Sequence, residues 1–340
     1  MRPFTYSQPK HLLPVANRPI IEWIFDTIHA VGISEAGLVV SPNTKDTFQK
    51  MLGEGSQFGM KLTYIVQEEP KGLAHAVSCA ERFIDSSSFL LYLGDNLFEH
   101  GIGELIQTFQ TGDCGAAIAL IEVDDPRRFG VARVESGEIQ ELIEKPNSPP
   151  GNLAIAGAYV FDSNIFDAIG RISPSKRGEL EITDAIQQLI DDNRTVLPHT
   201  IRGWWKDVGQ PRDMIIASEL LIRRLKPSSS QLIDDSSSIE GIAIIEPETR
   251  IQRSQLIGPV VIGKGAEIRN ATIGPNVAIG SNCTVSESGI RNSLMFEGAA
   301  VQGVKQMEWS ILGRSACINK MDHQLNCTFF MSDHSAAEIL

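Results

Sequence analysis

The sequence predicts an α/β domain with a mostly parallel sheet, followed by a parallel β-helix of hexapeptide repeats. From Ile20 to about Lys226, short apolar runs alternate with segments of helical period, as in a sheet covered by helices. After a polar break, aliphatic residues recur every five or six positions and are often followed by glycine. We therefore expect a first domain at residues 1–226, a linker at 227–238, and a β-helix with a C-terminal tail at 239–340.

Five apolar runs are the predicted strands of the first domain. They lie at residues 36–41, 61–66, 89–93, 116–123 and 155–161. Two apolar faces at helical spacing lie around them, one formed by Ile20, Ile21, Ile24, Phe25 and Ile28 before Gly32, the other by Ala74, Val77, Ala80 and Phe83. The order of these segments is typical of a parallel sheet with helical connections.

The last third of the chain repeats with a period close to six. The repeated aliphatic residues are Ile251, Ile257, Ile262, Ile268, Ile273, Ile279 and Val285. Roughly three such hexads make one turn of a triangular β-helix, so about four turns fit between Ile239 and Ile318. The alternative is an ordinary all-β domain in which the spacing is a coincidence.

Charge and cysteine usage exclude several classes of partner. Lys and Arg total 30 against 42 Asp and Glu, a net charge of −12, which disfavours nucleic acids and anionic membranes. No apolar run approaches the roughly 18 residues that a membrane span needs. The five cysteines have no C-x-x-C spacing, and they are most simply reduced thiols of a cytoplasmic protein. They are Cys79, Cys114, Cys283, Cys317 and Cys327.

Two acidic residues are candidates for metal binding. The predicted strand at 89–93 is followed by Asp95, and ligands bind beyond the carboxyl ends of strands in open parallel sheets. Asp207 is a second acid from a distant part of the same domain. Two carboxylates are able to hold Mg²⁺ against a triphosphate, because this ion prefers oxygen ligands. Asp95 taken alone is equally consistent with a helix N-cap.

Two further segments have side chains suited to a sugar phosphate and a base. In Glu144-Lys145-Pro146 the carboxylate is able to accept sugar hydroxyls while the ammonium meets a phosphate, although such a segment is more often a surface turn. Gly72 precedes a helix, where a flat base is able to lie against the backbone, and Gln67 offers an amide to its edge. A simple turn is the alternative for Gly72.

The segment 178–184 adds carboxylates at a predicted helix start. Thr183 within it is either a site residue or a plain helix cap. His75, on the helix after Gly72, is interpreted as a packing residue rather than an acid or base.

The N-terminus resembles part of a known family. Seven residues match the P-K and L-P-V-x-N-x-P pattern that follows the glycine-rich phosphate loop of sugar-1-phosphate nucleotidyltransferases: Pro9, Lys10, Leu13, Pro14, Val15, Asn17 and Pro19. With the segments above, the whole chain resembles the long-type glucose-1-phosphate thymidylyltransferases, whose Rossmann-like nucleotidyltransferase domain precedes a left-handed β-helix. Only Arg2 and Pro3 match the loop itself. Our hypothesis is a start codon assigned too far downstream, and we expect impaired activity of the chain as given.

The resemblance implies a role for each candidate residue. It implies Lys10 for triphosphate contact, Gln67 and Gly72 for thymine, Asp95 and Asp207 for Mg²⁺, Gly130 and Glu144 for the sugar, Lys145 for its phosphate, and Tyr159 and Glu179 near the sugar pocket. The implied catalytic residues are Lys10, Lys145, Asp95 and Asp207. The implied substrates are dTTP and glucose 1-phosphate, which give dTDP-glucose and pyrophosphate. A homo-oligomer formed through the β-helix is also expected.

Three alternatives remain. In the first, the transferred group is uridylyl or guanylyl rather than thymidylyl, since the choice of base rests on few contacts around Gln67. In the second, the protein is a non-catalytic sugar-nucleotide sensor or assembly protein. In the third, the β-helix adds acyl transfer, which is disfavoured because no histidine lies between His199 and His323 to act as a base.

Overall fold

The structure is a computed structural model, and it describes residues 1–228, 233–321 and 326–339. Two compact units divide the chain: Met1–Ile21 with Val208–Leu340, and Glu22–Asp207. The predicted domain boundaries, at 1–226, 227–238 and 239–340, are based on composition and on the sequence repeat, whereas the two units are defined by their compactness. The predicted boundaries therefore stay a prediction. Ser229 and Ser230 of the predicted linker, and His323 of the predicted tail, lie outside the described residues.

The N-terminal segment of the first unit contains a short hairpin. Two 3-10 helices at Phe4–Tyr6 and Lys10–Leu12 precede the antiparallel strands β1 (Pro14–Val15) and β2 (Arg18–Pro19). Ala16 and Asn17 between them have φ of 47° and 62°, the left-handed backbone that a tight two-residue hairpin loop requires. The matched P-V-x-N-x-P segment is therefore a hairpin.

The second unit contains the predicted strands and helices together with further elements. After α1 (Ile20–His29), which spans the division between the units, come β3 (Glu35–Val40), α2 (Pro42–Leu52), β4 (Lys61–Val66), α3 (Leu73–Cys79), α4 (Glu81–Ile84), β5 (Phe89–Tyr92), β6 (Asn96–Phe98), α5 (Gly103–Thr111), β7 (Ala116–Glu122), β8 (Gly130–Glu135), β9 (Glu138–Glu144), β10 (Leu153–Phe161), α6 (Asn164–Ile169), α7 (Ile182–Asp191), β11 (Val196–Thr200) and β12 (Trp205–Asp207), with 3-10 turns at Ser56–Phe58 and Pro126–Arg128. The predicted apolar face from Ala74 to Phe83 is divided between α3 and α4, because the helix is interrupted at Ala80.

The predicted α/β class is confirmed, but the sheet is mixed rather than mostly parallel. Its strand order is β11-β7-β10-β8-β9, with β5 also paired to β10. Only β11 and β7 run parallel in this sheet, whereas β10 is antiparallel to β5, β7 and β8. Strands β3 and β4 form a separate parallel pair, and β6 pairs with β12 in antiparallel fashion. An apolar run predicts a strand, but its direction depends on partners distant in the sequence.

Strand β7 shows why the core of this unit has two sides. All of Ala116, Ala117, Ile118, Ala119 and Leu120 are completely buried. Successive side chains of a strand point to opposite faces. The even-numbered residues accordingly join one apolar cluster with α7, and the odd-numbered ones join another with α5.

The rest of the first unit is α8 (Pro211–Ile222) and a left-handed parallel β-helix of about five turns. Three six-stranded parallel sheets form its sides. The strands are β13 (Ser238–Glu240), β14 (Ala243–Ile245), β15 (Arg250–Gln252), β16 (Gln255–Ile257), β17 (Val260–Ile262), β18 (Glu267–Arg269), β19 (Thr272–Ile273), β20 (Val277–Ile279), β21 (Thr284–Ser286), β22 (Gly289–Arg291), β23 (Ser293–Met295), β24 (Ala300–Gln302), β25 (Gln306–Glu308), β26 (Ile311–Leu312), β27 (Cys317–Met321), β28 (Asn326–Cys327), β29 (Phe330–Met331) and β30 (Ala336–Ile339). The β-helix is longer than predicted because strands after Ile318 continue it.

The predicted hexad residues form the inside of the β-helix, with one exception. All except Ile257 are buried in its core. At that turn Leu256 points inward and pairs with Ile273 of the next turn. Two adjacent aliphatic residues left the register open, and neighbouring side chains on a strand point to opposite faces.

Buried serines connect successive turns of the β-helix. The hydroxyl oxygen of Ser310 accepts the backbone N–H of Phe329 at 2.8 Å, and Ser293 accepts that of Ser310 at 3.1 Å. Ser254 and Ser288 accept N–H groups of the following turn in the same way. Each serine thus satisfies a backbone donor at a corner, and all of these donors except the half-buried one of Phe329 would otherwise be buried without a partner.

Part of the predicted linker belongs to this β-helix. Ser228 pairs with Ile244, and Ile233 pairs with Ile251 and packs against the core. Across the described parts of the chain, every helix falls short of the length and apolarity that a bilayer span requires.

Candidate active site

The pairing of β6 with β12 brings the two candidate metal ligands close together. Asp207 pairs directly with Asn96, the residue that follows Asp95. The Asn96 amide donates to Asp95 Oδ1 at 2.7 Å, and its oxygen accepts the Trp205 indole N–H at 2.7 Å. One asparagine therefore connects the Asp95 carboxylate to the strand that ends in Asp207.

These two acids have the donor chemistry that Mg²⁺ requires. Both offer carboxylate oxygens, the hard ligands that this ion prefers. Among the described residues, no group of three or more His, Cys, Asp or Glu is arranged to hold a metal ion. A site with two protein carboxylates is consistent with this, because Mg²⁺ in nucleotide enzymes keeps waters and takes substrate phosphates as its other ligands.

Gly157 makes room for this arrangement. Its φ is 72°, and its carbonyl accepts the backbone N–H of Leu93 at 2.9 Å. A Cβ on Gly157 would lie 2.8 Å from Cγ and Oδ1 of Asn96. A larger residue would therefore displace the side chain that holds Asp95.

The predicted base-binding segment begins where β4 ends. Gln67 continues the strand by donating its backbone N–H to Val40 O at 2.9 Å. Its side-chain nitrogen lies 3.2 Å from Gly72 O and 2.9 Å from His75 Nδ1. Gln67 and Gly72, predicted separately, are thus in direct contact, and His75 is a third member that the sequence analysis interpreted as packing.

Two backbone hydrogen bonds connect this segment to residues 178–184. The N–H of Leu180 donates to Lys71 O at 2.7 Å, and that of Ala74 donates to Leu180 O at 3.0 Å. The candidate base-binding and sugar-binding segments are consequently adjacent.

Glu144 is at the centre of the candidate sugar site. Its strand pairs it with Gly130, and a Cβ on Gly130 would lie 3.3 Å from Glu144 Oε2. The same oxygen accepts the Thr183 hydroxyl at 3.4 Å. Thr183 lies inside α7 rather than at its N-cap, so helix capping does not explain it. Burial raises the pKa of Glu144, and this effect outweighs the opposite effect of Lys145.

Lys145 follows Glu144 in a left-handed backbone conformation. Its φ is 42°, which is uncommon for a residue with a side chain and typical of functional loops. Its Nζ lies 3.6 Å from Glu144 Oε1. The Lys145 side chain is 45% exposed, so a phosphate is able to reach it.

Arg177 is a member of the site that the sequence analysis missed. Its Nη2 lies 3.6 Å from Glu144 Oε1, 3.1 Å from Glu179 Oε2 and 2.9 Å from Glu181 Oε1. One guanidinium thus faces three carboxylates. The signal in the sequence was an arginine directly before the acidic segment 178–184.

Tyr159 is buried beside this cluster. It is 3% exposed and stacks on Phe161 with ring centroids 5.7 Å apart. Burial raises the pKa of its hydroxyl, and the nearby charge of Glu144 raises it further. The phenol therefore stays protonated and belongs to the wall behind Glu144.

In the second unit, two aromatic rings connect the candidate sugar site around Glu144 with the candidate metal site around Asp95. Phe129, next to Gly130, contacts Trp205 edge-on with centroids 5.3 Å apart. Trp205 is in turn bonded to Asn96 beside Asp95. Lys10 belongs to the first unit, where it begins the helix Lys10–Leu12. Its implied contact with the triphosphate stays a prediction.

Comparisons with known proteins show the family to which the chain is similar. Residues 1–224 match the family model described as nucleotidyl transferase. A low-salt glycan biosynthesis nucleotidyltransferase of Haloferax volcanii is 40% identical over 325 residues, which is 95% of this chain and 91% of that protein. A glucose-1-phosphate thymidylyltransferase of Streptomyces griseus is 37% identical over 341 residues, 100% of this chain and 96% of that protein.

A solved structure is similar to about two thirds of this chain. It is that of a candidate glucose-1-phosphate thymidylyltransferase of Bacillus anthracis in complex with sucrose. The TM-score is 0.62 at 33% identity, and the match covers 67% of this chain and 92% of that one.

Proposed function

The chain belongs to the nucleotidyl transferase family, and from this premise we propose that it transfers a thymidylyl group from dTTP to glucose 1-phosphate, which gives dTDP-glucose and pyrophosphate. The name of the Streptomyces griseus relative, which matches the full length of the chain, supports this choice of substrates. The observation that carries the proposal is the cluster of Glu144, Lys145 and Arg177 directly beside the segment that holds Gln67.

The proposed reaction needs no general base. A sugar phosphate has a second pKa of about 6 and is mostly a dianion at neutral pH. One of its oxygens attacks the α-phosphorus of dTTP, a new P–O bond forms, and the bond to the β-phosphate breaks with release of pyrophosphate. Catalysis then depends on positioning and on charge neutralisation.

Lys145 is the residue proposed to bind the attacking phosphate. Its Nζ lies 3.6 Å from Glu144 Oε1, and the left-handed backbone of Lys145 directs the side chain there. A positive charge there attracts the dianion and orients the attacking oxygen.

Glu144 is proposed to accept hydroxyl groups of the sugar. Thr183 and Arg177 hold its carboxylate, and Gly130, which has no Cβ, lets Glu144 and Thr183 pack closely against its backbone. Glu179 and the buried Tyr159 complete this side. Asp95 and Asp207 are proposed to hold Mg²⁺, which when bound supplies neutralisation of phosphate charge.

The test is a panel of substrates with the purified protein. dTTP, UTP and GTP are each incubated with glucose 1-phosphate and with other hexose 1-phosphates, and pyrophosphate and the sugar nucleotide are measured. We expect the highest kcat/KM for dTTP with glucose 1-phosphate. Sugar-nucleotide binding without turnover of any pair would indicate a binding protein instead.

Uridylyl transfer is a second candidate. Thymine and uracil present the same ring N–H between two carbonyl groups, and the contacts of Gln67 offer nothing that reads the methyl group of thymine. The ratio of kcat/KM for dTTP and UTP distinguishes the two candidates.

A further inference from the structure

We propose that His75 is a positioning residue that fixes the side-chain amide of Gln67 with its oxygen toward the base. The inference rests on the proposed function, in which Gln67 meets the edge of the nucleotide base. It assigns the site to bases that carry an N–H at the ring nitrogen facing the protein: thymine, uracil and guanine, against cytosine and adenine.

The contacts of Gln67 determine which way its amide faces. Nε2 lies 3.2 Å from Gly72 O, and a carbonyl oxygen only accepts hydrogen bonds. The atom at this position must therefore be the amide nitrogen, and one of its two hydrogens points to Gly72.

The second amide hydrogen determines the state of His75. Nε2 of Gln67 also lies 2.9 Å from His75 Nδ1, so that ring nitrogen must accept. His75 is then the neutral imidazole with its hydrogen on Nε2, a tautomer assigned by the hydrogen-bond network. Both donors of the Gln67 amide are thereby used within the protein.

The amide oxygen remains for a ligand. Within residues 1–228, 233–321 and 326–339, no hydrogen-bond donor is directed at Gln67 Oε1, and the residue is half-buried. An acceptor held in this way is complementary to N3–H of thymine or uracil and to N1–H of guanine. Cytosine N3 and adenine N1 carry a lone pair there and would leave two acceptors facing each other, which is unfavourable.

The two acceptors that hold the amide lie on one helical turn. Gly72 is the N-cap of α3, and His75 lies in its first turn. The turn is fixed by the hydrogen bond from Ala74 N–H to Leu180 O. Because Gly72 O and His75 Nδ1 are positioned by the same backbone, the amide has one favourable orientation.

The experiment measures base preference by calorimetry. Dissociation constants of dTTP and dCTP with Mg²⁺ are compared for the wild type, H75L, H75A and H75N. These two nucleotides have equal charge and differ at the ring nitrogen, at its neighbouring substituent and in the 5-methyl group of thymine. In the proposed arrangement that methyl group contacts none of the variant side chains, so the change of the ratio between variants is the readout. S78A is the matched control on the same helix, since its hydroxyl donates to the His75 carbonyl and does not contact Gln67.

We expect the wild type to prefer dTTP, and H75L and H75A to reduce this preference by about tenfold, the order of one unsatisfied hydrogen bond. H75N should keep most of it, because its side-chain oxygen lies as many bonds from the backbone as Nδ1. S78A should not change it. In the Q67A background, H75L should have no further effect on the ratio, because His75 acts through Gln67.

Different failures have different meanings. Retention of the wild-type ratio in folded H75L and H75A would overturn the role of His75 and leave the proposed function intact. Equal binding of dTTP and dCTP by the wild type would overturn the assigned amide orientation. Binding of neither nucleotide would overturn the proposed function and this inference together.

Discussion

Gly72 lies directly against the backbone of Leu180. A Cβ on Gly72 would be 2.5 Å from Leu180 O and 2.7 Å from Leu180 N, distances that a side chain cannot occupy. Gly72 also has a φ of 106°, a conformation that favours glycine. This contact joins the segment of Gln67 to the acidic segment beside Glu144, so the proposed base and sugar sites share one backbone junction.

Replacing Gly72 with alanine should push the backbones of Gly72 and Leu180 apart. We expect G72A to weaken dTTP binding and to destabilise the fold by about 1–3 kcal/mol, since both the backbone conformation and the contact become unfavourable. Urea denaturation and calorimetry measure the two effects. G137A is the matched control, because Gly137 has a φ of 86° and a Cβ added to it would meet no atom within 4 Å. Equal results for both variants would mean that the Leu180 contact is unimportant.

Removing the guanidinium of Arg177 should affect the sugar side of the site. R177M leaves Glu181, which is buried, without its charged partner and removes a support of Glu144. We expect a loss of about 1 kcal/mol in stability, reduced by solvent screening because Arg177 is 39% exposed, and about tenfold weaker binding of the sugar nucleotide. R133M, which loses the ion pairs of Arg133 with Glu135 and Glu141, is the control. Unchanged binding in R177M would contradict the role of Arg177.

Glu144 should make stability depend on pH. Its folded pKa is raised above the ordinary value of 4.5, chiefly by burial, so folding favours its protonated form. The stabilisation is complete below the ordinary pKa and is lost as pH rises through the raised folded value. E144Q should therefore be more stable than the wild type at neutral pH, with the difference decreasing toward acidic pH. Thermal melts across this range measure it, and a constant difference would contradict the burial effect.

The serine connections should contribute to the stability of the β-helix. In S310A the half-buried N–H of Phe329 loses its acceptor, and we expect a loss of about 1 kcal/mol. T272A, an exposed substitution on β19, is the control and should change stability little. Equal denaturation midpoints for S310A and the wild type would show that another group satisfies this donor.

The local pattern of the sequence predicted the elements better than their arrangement. The strand at 61–66 coincides with β4, since a short run rich in strand-forming residues is a local property. The antiparallel partners of β10 could not be predicted in this way, because pairing with β5, β7 and β8 joins residues far apart in the chain. The prediction placed Ile257 inside the β-helix, whereas the structure places Leu256 there. Two adjacent aliphatic residues fit either strand register, so the sequence alone did not distinguish them.

The site residues also divide into those that a local sequence segment indicated and those that only spatial contacts reveal. Gln67, Glu144 and Lys145 stand in segments whose resemblance to a family suggested their roles. Arg177 was missed and His75 was interpreted as a packing residue, because the sequence does not show what they contact: three carboxylates in one case, and the amide of Gln67 in the other.

The central claim is nucleotidyl transfer that depends on Asp207, the last residue of β12, and on Asp95, which directly precedes the paired strand β6. The most direct test compares formation of dTDP-glucose from dTTP and glucose 1-phosphate, in the presence of Mg²⁺, by the wild type and by D207N. We predict product formation by the wild type and a rate at least about 100-fold lower for a folded D207N, as for loss of a group that stabilises transition-state charge. Product formation at equal rates by the two proteins would contradict the account.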